Sequence, residues 1–179
     1  MSGEDARRVI VTGASKGIGA AAARRLAGQG FHVTVHFGRD EAGAEVVASD
    51  IRGSGGAADI IGFDISDRDQ TAHALEGLIA KHGAYWGVVL NAGSTRDNAF
   101  PSLTGEDWDG VIRTNLDGFY NVLHPLVMPM VRLRDGGRIV TMSSISGLMG
   151  TRGQVNYSAS KAGIIGATKP PAPQLANRK

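Results

Sequence analysis

Arg8-Val9-Ile10-Val11-Thr12-Gly13-Ala14-Ser15-Lys16-Gly17-Ile18-Gly19, followed by an alanine-rich stretch over 20–28, reads as a strand, a tight glycine turn and a helix in immediate succession. Each glycine has its own task in that reading. Gly13 lets the turn close, Gly17 lets backbone approach a pyrophosphate, and Gly19 lets the helix pack tightly on the strand. The helix N-terminus then offers free N–H groups and a partial positive charge to phosphates. Glycine triplets are common in loops, and it is their position at the end of a first strand that predicts a dinucleotide site here.

Working outward, strand-like runs recur at 9–11, 32–36, 59–63, 87–90 and 138–142. The segments between them are long enough for helices, expected over 18–29, 41–52, 68–81, 106–132 with a break, and 156–168. Strand and helix in alternation predict an α/β fold, a doubly wound parallel sheet with helices on both faces. The 179 residues make one domain with a sizeable core, and no internal repeat, low-complexity tract or linker divides them. Gly53-Ser54-Gly55-Gly56 and Asp135-Gly136-Gly137 read as turns entering strands.

Composition narrows the chemistry. A formal charge of +2 with scattered basic residues predicts neither a nucleic-acid nor a membrane surface. No cysteine is present, so disulfides and thiolate chemistry are out, and the five histidines show no metal-ligand spacing. The short polar segment before Arg8 leaves no room for a signal peptide, and no apolar run approaches membrane-spanning length. The expectation is a cytoplasmic protein.

Tyr157 and Lys161, spaced Tyr-x-x-x-Lys, share one helix face, with Ser144 thirteen residues upstream of the tyrosine. An ammonium beside a phenol favours the phenolate, which suits the phenol to pass protons near neutral pH. Ser144, on the preceding loop, is placed to hydrogen-bond a carbonyl oxygen. An isolated Tyr-x-x-x-Lys is an ordinary solvated pair, and the company this one keeps decides its reading.

The glycine turn has the spacing Gly-x-x-x-Gly-x-Gly. With Asn91-Ala92-Gly93, Thr114-Asn115-Leu116 and Gly153-Gln154-Val155-Asn156-Tyr157-Ser158-Ala159-Ser160-Lys161-Ala162-Gly163, it resembles the classical short-chain dehydrogenase/reductases, from about Arg8 to Thr168. Within that family the chain looks most like the bacterial 3-oxoacyl-(acyl-carrier-protein) reductases. The resemblance implies a Rossmann-like fold and NADPH along the carboxyl edge of the sheet. It places the pyrophosphate at the turn of Gly13, Ser15, Lys16, Gly17, Ile18 and Gly19, the adenine at Asp64 and Ile65, and cofactor against Asn91, Ala92 and Gly93. It implies that Ser144 orients a ketone, Tyr157 donates the proton, and Lys161 binds the nicotinamide ribose and tunes the tyrosine. Asn115 would distort its helix and help hold a water in a proton relay with the lysine. Ser144 is preferred to Ser143 because its separation from Tyr157 fits the family pattern and adjacent residues of extended chain point in opposite directions.

Where a site selective for NAD would place an acid against the ribose 2′-hydroxyl, this chain has Phe37, then Gly38 and Arg39. Lys16 and Arg39 together suit a 2′-phosphate, which favours NADPH over NADH; the plain alternative makes Arg39 a surface loop residue. Asp64 is open to a second reading as a helix cap with Ser66 and Asp67. The expected substrate is a 3-oxoacyl thioester on acyl carrier protein, in fatty-acid synthesis, with a ketone or alcohol of another class as the competing reading. Arg132, Arg134 and Arg138 form a basic cluster suited to an acidic carrier protein, or to a helix end whose dipole favours cations.

The chain departs from the family at Lys169-Pro170-Pro171-Ala172-Pro173-Gln174. Each proline inside a helix costs about 3 kcal/mol, so the Tyr157 helix is expected to stop near Ala167 or Thr168. Leu175-Ala176-Asn177-Arg178-Lys179 resembles the family continuation in register, and the family's final strands, covering loop and part of its oligomer interface would lie beyond it. The expectation is therefore a single domain, 1–179, incomplete at its C-terminus. The family's homotetramer, built on the two long helices around Asn115 and Tyr157, is in question. A further reading is a truncated, inactive nucleotide-binding fragment.

Overall fold

Residues 6–169 are described by the computed structural model, and the β-branched runs within them pair side by side. Strands β1 (Arg8–Val11), β2 (His32–Phe37), β3 (Ala57–Gly62), β4 (Gly87–Leu90) and β5 (Arg138–Thr141) form one parallel sheet in the order β3-β2-β1-β4-β5. β1 is central, with Val9 opposite Val33 of β2 on one side and Gly87 of β4 on the other. The chain adds β2 and β3 to one side of β1, then returns to add β4 and β5 to the other. That reversal leaves a crevice at the carboxyl ends of β1 and β4, where open α/β sheets bind ligands.

Alternation along β1 divides the core. Val9 and Val11 pack with Ala20, Ala23 and Ala27 of α1 (Gly17–Ala27) and Ala44, Val47, Ala48 and Ile51 of α2 (Glu41–Gly53). Ile10 faces the opposite layer, with Leu75 of α3 (Arg68–His82) and Val122, Leu123, Leu126 and Met130 of α5 (Gly118–Leu133). Strands buried on both faces read as unbroken apolar runs for this reason. The fold is thus the expected α/β, Rossmann-like, doubly wound arrangement.

The long helix expected over 106–132 is three pieces: α4 (Gly105–Ile112), a π-helical turn (Arg113–Asp117) and α5. The break falls at the π turn, while Pro125 and Pro129 are carried inside α5. A 3₁₀ turn at Phe100–Ser102 and the single-turn α6 (Ser146–Met149) are too short to leave a periodic signal. The last helix, α7 (Val155–Thr168), ends where the sequence places its end. Pro170, Pro171, Pro173 and the segment from Leu175 to Lys179 lie outside the described residues. Among the described residues no helix is long and apolar enough to cross a membrane.

Candidate active site

The glycine turn leaves β1 at Thr12, whose Oγ1 accepts from the backbone N–H groups of Asn91 and Ala92, both at 3.0 Å. Asn91 reciprocates, its Nδ2 donating to the carbonyls of Thr12 (2.9 Å) and Gly13 (3.1 Å). The ends of β1 and β4 are therefore locked together, and Asn91 does this with its side chain. Gly13 has φ +62°, and a Cβ there would stand 2.8 Å from the Ala92 Cα. A Cβ on Gly19 would stand 2.4 Å from the Gly13 carbonyl oxygen and 2.5 Å from Asn91 Nδ2.

The start of α1 fits a phosphate. Lys16 at its N-cap makes no capping bond, and no acidic residue lies in its first turn. By contrast α2, α3 and α4 are closed by Asp40, Asp67 and Thr104, whose side chains accept from the N–H groups of Gly43, Gln70 and Asp107. An uncapped N-terminus beside a turn with no side chain at Gly17 leaves N–H donors and space for an anion. Ser15 is half-buried in this turn, and Lys16 and Ile18 are exposed.

The turn is also bonded to the end of β2, the Ala14 N–H donating to the His36 carbonyl at 2.8 Å. Lys16 follows this turn and Arg39 follows the end of β2, both exposed. Phe37 lies across Gly62, where an added Cβ would meet its ring at 2.6 Å. The nearby carboxylate of Asp40 is engaged in capping α2.

On β3's side, Asp67 and not Asp64 caps α3. Asp64 is exposed, its Oδ1 accepting from Ser66 N–H (2.9 Å) and Ser66 Oγ (2.8 Å). The Ile65 side chain is buried against Gly118 of α5, and its carbonyl accepts from Asn121 Nδ2 at 2.9 Å.

The chemistry-bearing residues gather where β4, β5, the π turn and α7 meet. Lys161 is buried, its Nζ 5.6 Å from the Tyr157 ring centroid and donating to the Met142 carbonyl at 2.7 Å. Burial pulls its ammonium below the ordinary lysine pKa. Ser143 Oγ donates to the Lys161 carbonyl at 2.9 Å, so its proton is spent on the backbone. Ser144 Oγ instead accepts from Ser146 N–H at 3.2 Å, which leaves its own O–H to donate outward. α6 can sit close to α7 because a Cβ on Gly147 would stand only 2.7 Å from Ala162 N.

Asn115 occupies the π turn, with 2% of its surface exposed. Its Nδ2 donates to the Ser94 carbonyl (3.0 Å) and to Ser160 Oγ (2.9 Å), and its Oδ1 accepts from Ser94 N–H (2.8 Å). Both amide hydrogens are thus donated to protein, and the oxygen accepts one bond. A Cβ on Gly93 would lie 3.1 Å from Asn115 Oδ1 and 3.6 Å from Lys161 Nζ, so glycine keeps this approach open.

Two contributors were missed by sequence reasoning. Asn156, fully buried, donates to the carbonyls of Arg96 (3.0 Å) and Asp107 (3.2 Å) and accepts from Tyr157 N–H (2.8 Å). Gln154 links Ser146 to Asp97, accepting from the first at 3.2 Å and donating to the second at 2.7 Å. Polar residues flanking the tyrosine motif were the available signal. Arg132, Arg134 and Arg138 are exposed around the entry to β5, at the opposite end of the sheet from Tyr157.

A glycine-turn dinucleotide fold with a serine, tyrosine and lysine at the carboxyl edge defines the short-chain type of dehydrogenase. The chain belongs to that family: the short chain dehydrogenase profile matches residues 7–179. It is 60% identical over 171 residues to the 3-oxoacyl-[acyl-carrier-protein] reductase FabG of Aggregatibacter actinomycetemcomitans, covering 96% of this chain and 71% of that protein. It is 38% identical over 172 residues to the FabG of Staphylococcus aureus strain Mu50, covering 96% of this chain and 70% of that one. The crystal structure of a short chain dehydrogenase from Mycobacterium avium superposes with a TM-score of 0.87 at 34% identity, over 96% of this chain and 64% of the other. The chain thus spans roughly two thirds of the length of these relatives.

Proposed function

We propose that the chain is a reductase that uses NADPH to convert a 3-oxoacyl thioester, carried on acyl carrier protein, to the 3-hydroxyacyl form. The observation that supports this reading is that the segment just past β5, which carries Ser144, is bonded to α7 through Met142 and Ser143 at Lys161, whose ammonium stands 5.6 Å from the Tyr157 ring centroid. The 60% identity to a protein named as a 3-oxoacyl-[acyl-carrier-protein] reductase supports the substrate class.

Gly13, Ser15, Gly17, Ile18 and Gly19 would hold the pyrophosphate, Lys16 and Arg39 the 2′-phosphate, the loop at Asp64 and Ile65 the adenine, and Asn91, Ala92 and Gly93 the nicotinamide half. When bound, the cofactor supplies hydride. Ser144 donates its free O–H to the carbonyl oxygen and fixes its position. Tyr157 donates the proton that this oxygen takes up as it becomes a hydroxyl. Lys161, held by Met142, keeps a cation beside the tyrosine and reaches ribose hydroxyls from there. Asn115 braces the loop at Ser94 and the helix at Ser160 with its side chain, and from the π turn it would help hold a water in a proton relay with Lys161.

For assembly, α5 leaves Tyr120 and Met128 exposed on one side, which supports self-association through this helix as in the family's tetramers. Light scattering on the purified chain tests that.

The functional test is reduction of acetoacetyl thioester by the full 179-residue chain, followed by NADPH absorbance, against a panel of free ketones. Thioester turnover well above ketone turnover is expected. Preference for a free ketone would overturn the substrate assignment and leave the reductase chemistry standing.

A further inference from the structure

His36, the penultimate residue of β2, is 2% exposed and lies directly beneath the glycine turn. The Gly13 N–H donates to its Nδ1 at 3.1 Å, and its Nε2 faces the Phe63 carbonyl at 3.0 Å. These two bonds select one tautomer. Nδ1 must accept, so the ring proton sits on Nε2 and is donated to Phe63, whose ring packs 4.1 Å from the imidazole, centroid to centroid. Gly13 cannot hold its own conformation unaided, because glycine takes either sign of φ freely. Its carbonyl is fixed by Asn91, and its N–H is fixed by His36.

We infer that His36 is a positioning residue for cofactor binding, its neutral Nε2–H imidazole clamping Gly13 so that the turn is preformed for the pyrophosphate. This rests on the dinucleotide-site reading above. A purely packing role would need neither the acceptor nor the tautomer. Burial holds the imidazole neutral down to about pH 4, outweighing the Phe63 carbonyl and the Asp64 carboxylate, which both favour protonation. Once protonated, Nδ1–H would confront the Gly13 N–H, donor against donor, and the clamp would open.

The test separates the two ring nitrogens. His36→Asn keeps an acceptor where Nδ1 stands; His36→Gln keeps a polar group where Nε2 stands and leaves Gly13 without its acceptor. Calorimetric titration of the full chain with NADP⁺ at neutral pH should show the Asn variant near wild type. The Gln variant should bind about tenfold more weakly, the scale of one orphaned buried donor. Gln binding as tightly as wild type would overturn the inference. Should the Gln variant not fold, nitrogen-15 imidazole spectra of the wild-type chain decide: Nε2–H with an unprotonated Nδ1 is expected, and the opposite tautomer sinks the clamp. The expected tautomer in a wild-type chain that does not bind NADP⁺ would instead overturn the cofactor reading, and the role of His36 with it.

Discussion

Asn115 Nδ2 donates to Ser160 Oγ at 2.9 Å, and Ser160 Oγ donates in turn to the Tyr157 carbonyl at 2.7 Å. A π-helical turn is thereby tied to the helix that carries both Tyr157 and Lys161. Asn115→Ala would break this tie and strand both backbone groups of Ser94 that the amide satisfies. Loss of about 2 kcal/mol of stability is expected, with a fall in kcat larger than any change in KM. Ser160→Ala should cost about 1 kcal/mol and leave kcat within a few-fold. Denaturant melts and steady-state kinetics on both variants check this, and equal kinetic losses would disprove the separation.

Tyr157→Phe removes one oxygen from a half-buried ring and changes little else. Turnover should fall by about 10²-fold or more, with NADPH affinity near wild type. Lys161→Ala should lose turnover and cofactor affinity together, since on the proposed reading the same ammonium serves both, and it also holds the Met142 carbonyl. Single-turnover kinetics beside cofactor titrations distinguish the two patterns.

The glycines offer a graded series. Gly17 has φ +57° with nothing within 4 Å of an added Cβ, so Gly17→Ala meets backbone strain alone, about 1–2 kcal/mol. Gly19→Ala drives a methyl into the Gly13 carbonyl and Asn91 amide, and these cannot swing aside. It should cost about 3 kcal/mol and abolish NADPH binding. Thermal melts with and without NADPH rank the two, and a Gly19→Ala variant as stable as Gly17→Ala would contradict the packing described.

Much of this was legible in advance because local sequence carries it. The β-branched runs, the glycine turn and Tyr157-x-x-x-Lys161 each act within a few residues, and periodicity reveals them. The π turn was foreshadowed only by the family resemblance, which had Asn115 distort its helix; periodicity alone could not show it, because the bonds from Asn115 run to Ser94 and Ser160, distant in sequence. Asn156 and His36 escaped notice for the same reason, since each acts through partners from other strands or loops. Asp64 and Asp67 show the limit of motif reading: both are plausible caps, and only the folded chain shows Asp67 accepting from Gln70 N–H while Asp64 accepts from Ser66.

A buried histidine and a half-buried aspartate set distinct acid windows. His36 titrates near 4 when folded, against about 6.5 when unfolded, so the unfolded state binds the extra proton between those values. Stability should fall by about 3 kcal/mol as pH drops from about 6.5 to about 4, then level off for this group. Asp59 follows at lower pH. Burial alone would push its carboxyl up, but bonds from His32, Thr34 and Arg8 hold it below the usual carboxylate range. Its stabilisation is present above about pH 4 and is lost as pH falls further. Urea melts across pH should show the upper step vanish in His36→Asn while the lower one persists.

On the proposed reading, selectivity for NADPH would turn on two exposed cations, Lys16 and Arg39. Asp40, the acid nearest the end of β2, is committed to the α2 N-terminus, and Phe37 stands where a ribose-binding acid would be expected. Arg39→Ala should therefore weaken NADPH by about tenfold, one exposed phosphate contact, while leaving NADH unchanged. Lys16→Ala should do the same to a smaller degree, because an ammonium meets phosphate as a point charge and an arginine meets it as a fork. Phe37→Asp should go further and raise NADH affinity, but at a cost in stability, since the ring now covering Gly62 would be lost. Paired titrations with NADPH and NADH across the three variants give the answer. If Arg39→Ala weakens both cofactors equally, the arginine is not reading the 2′-phosphate, and the NADPH assignment loses its main support.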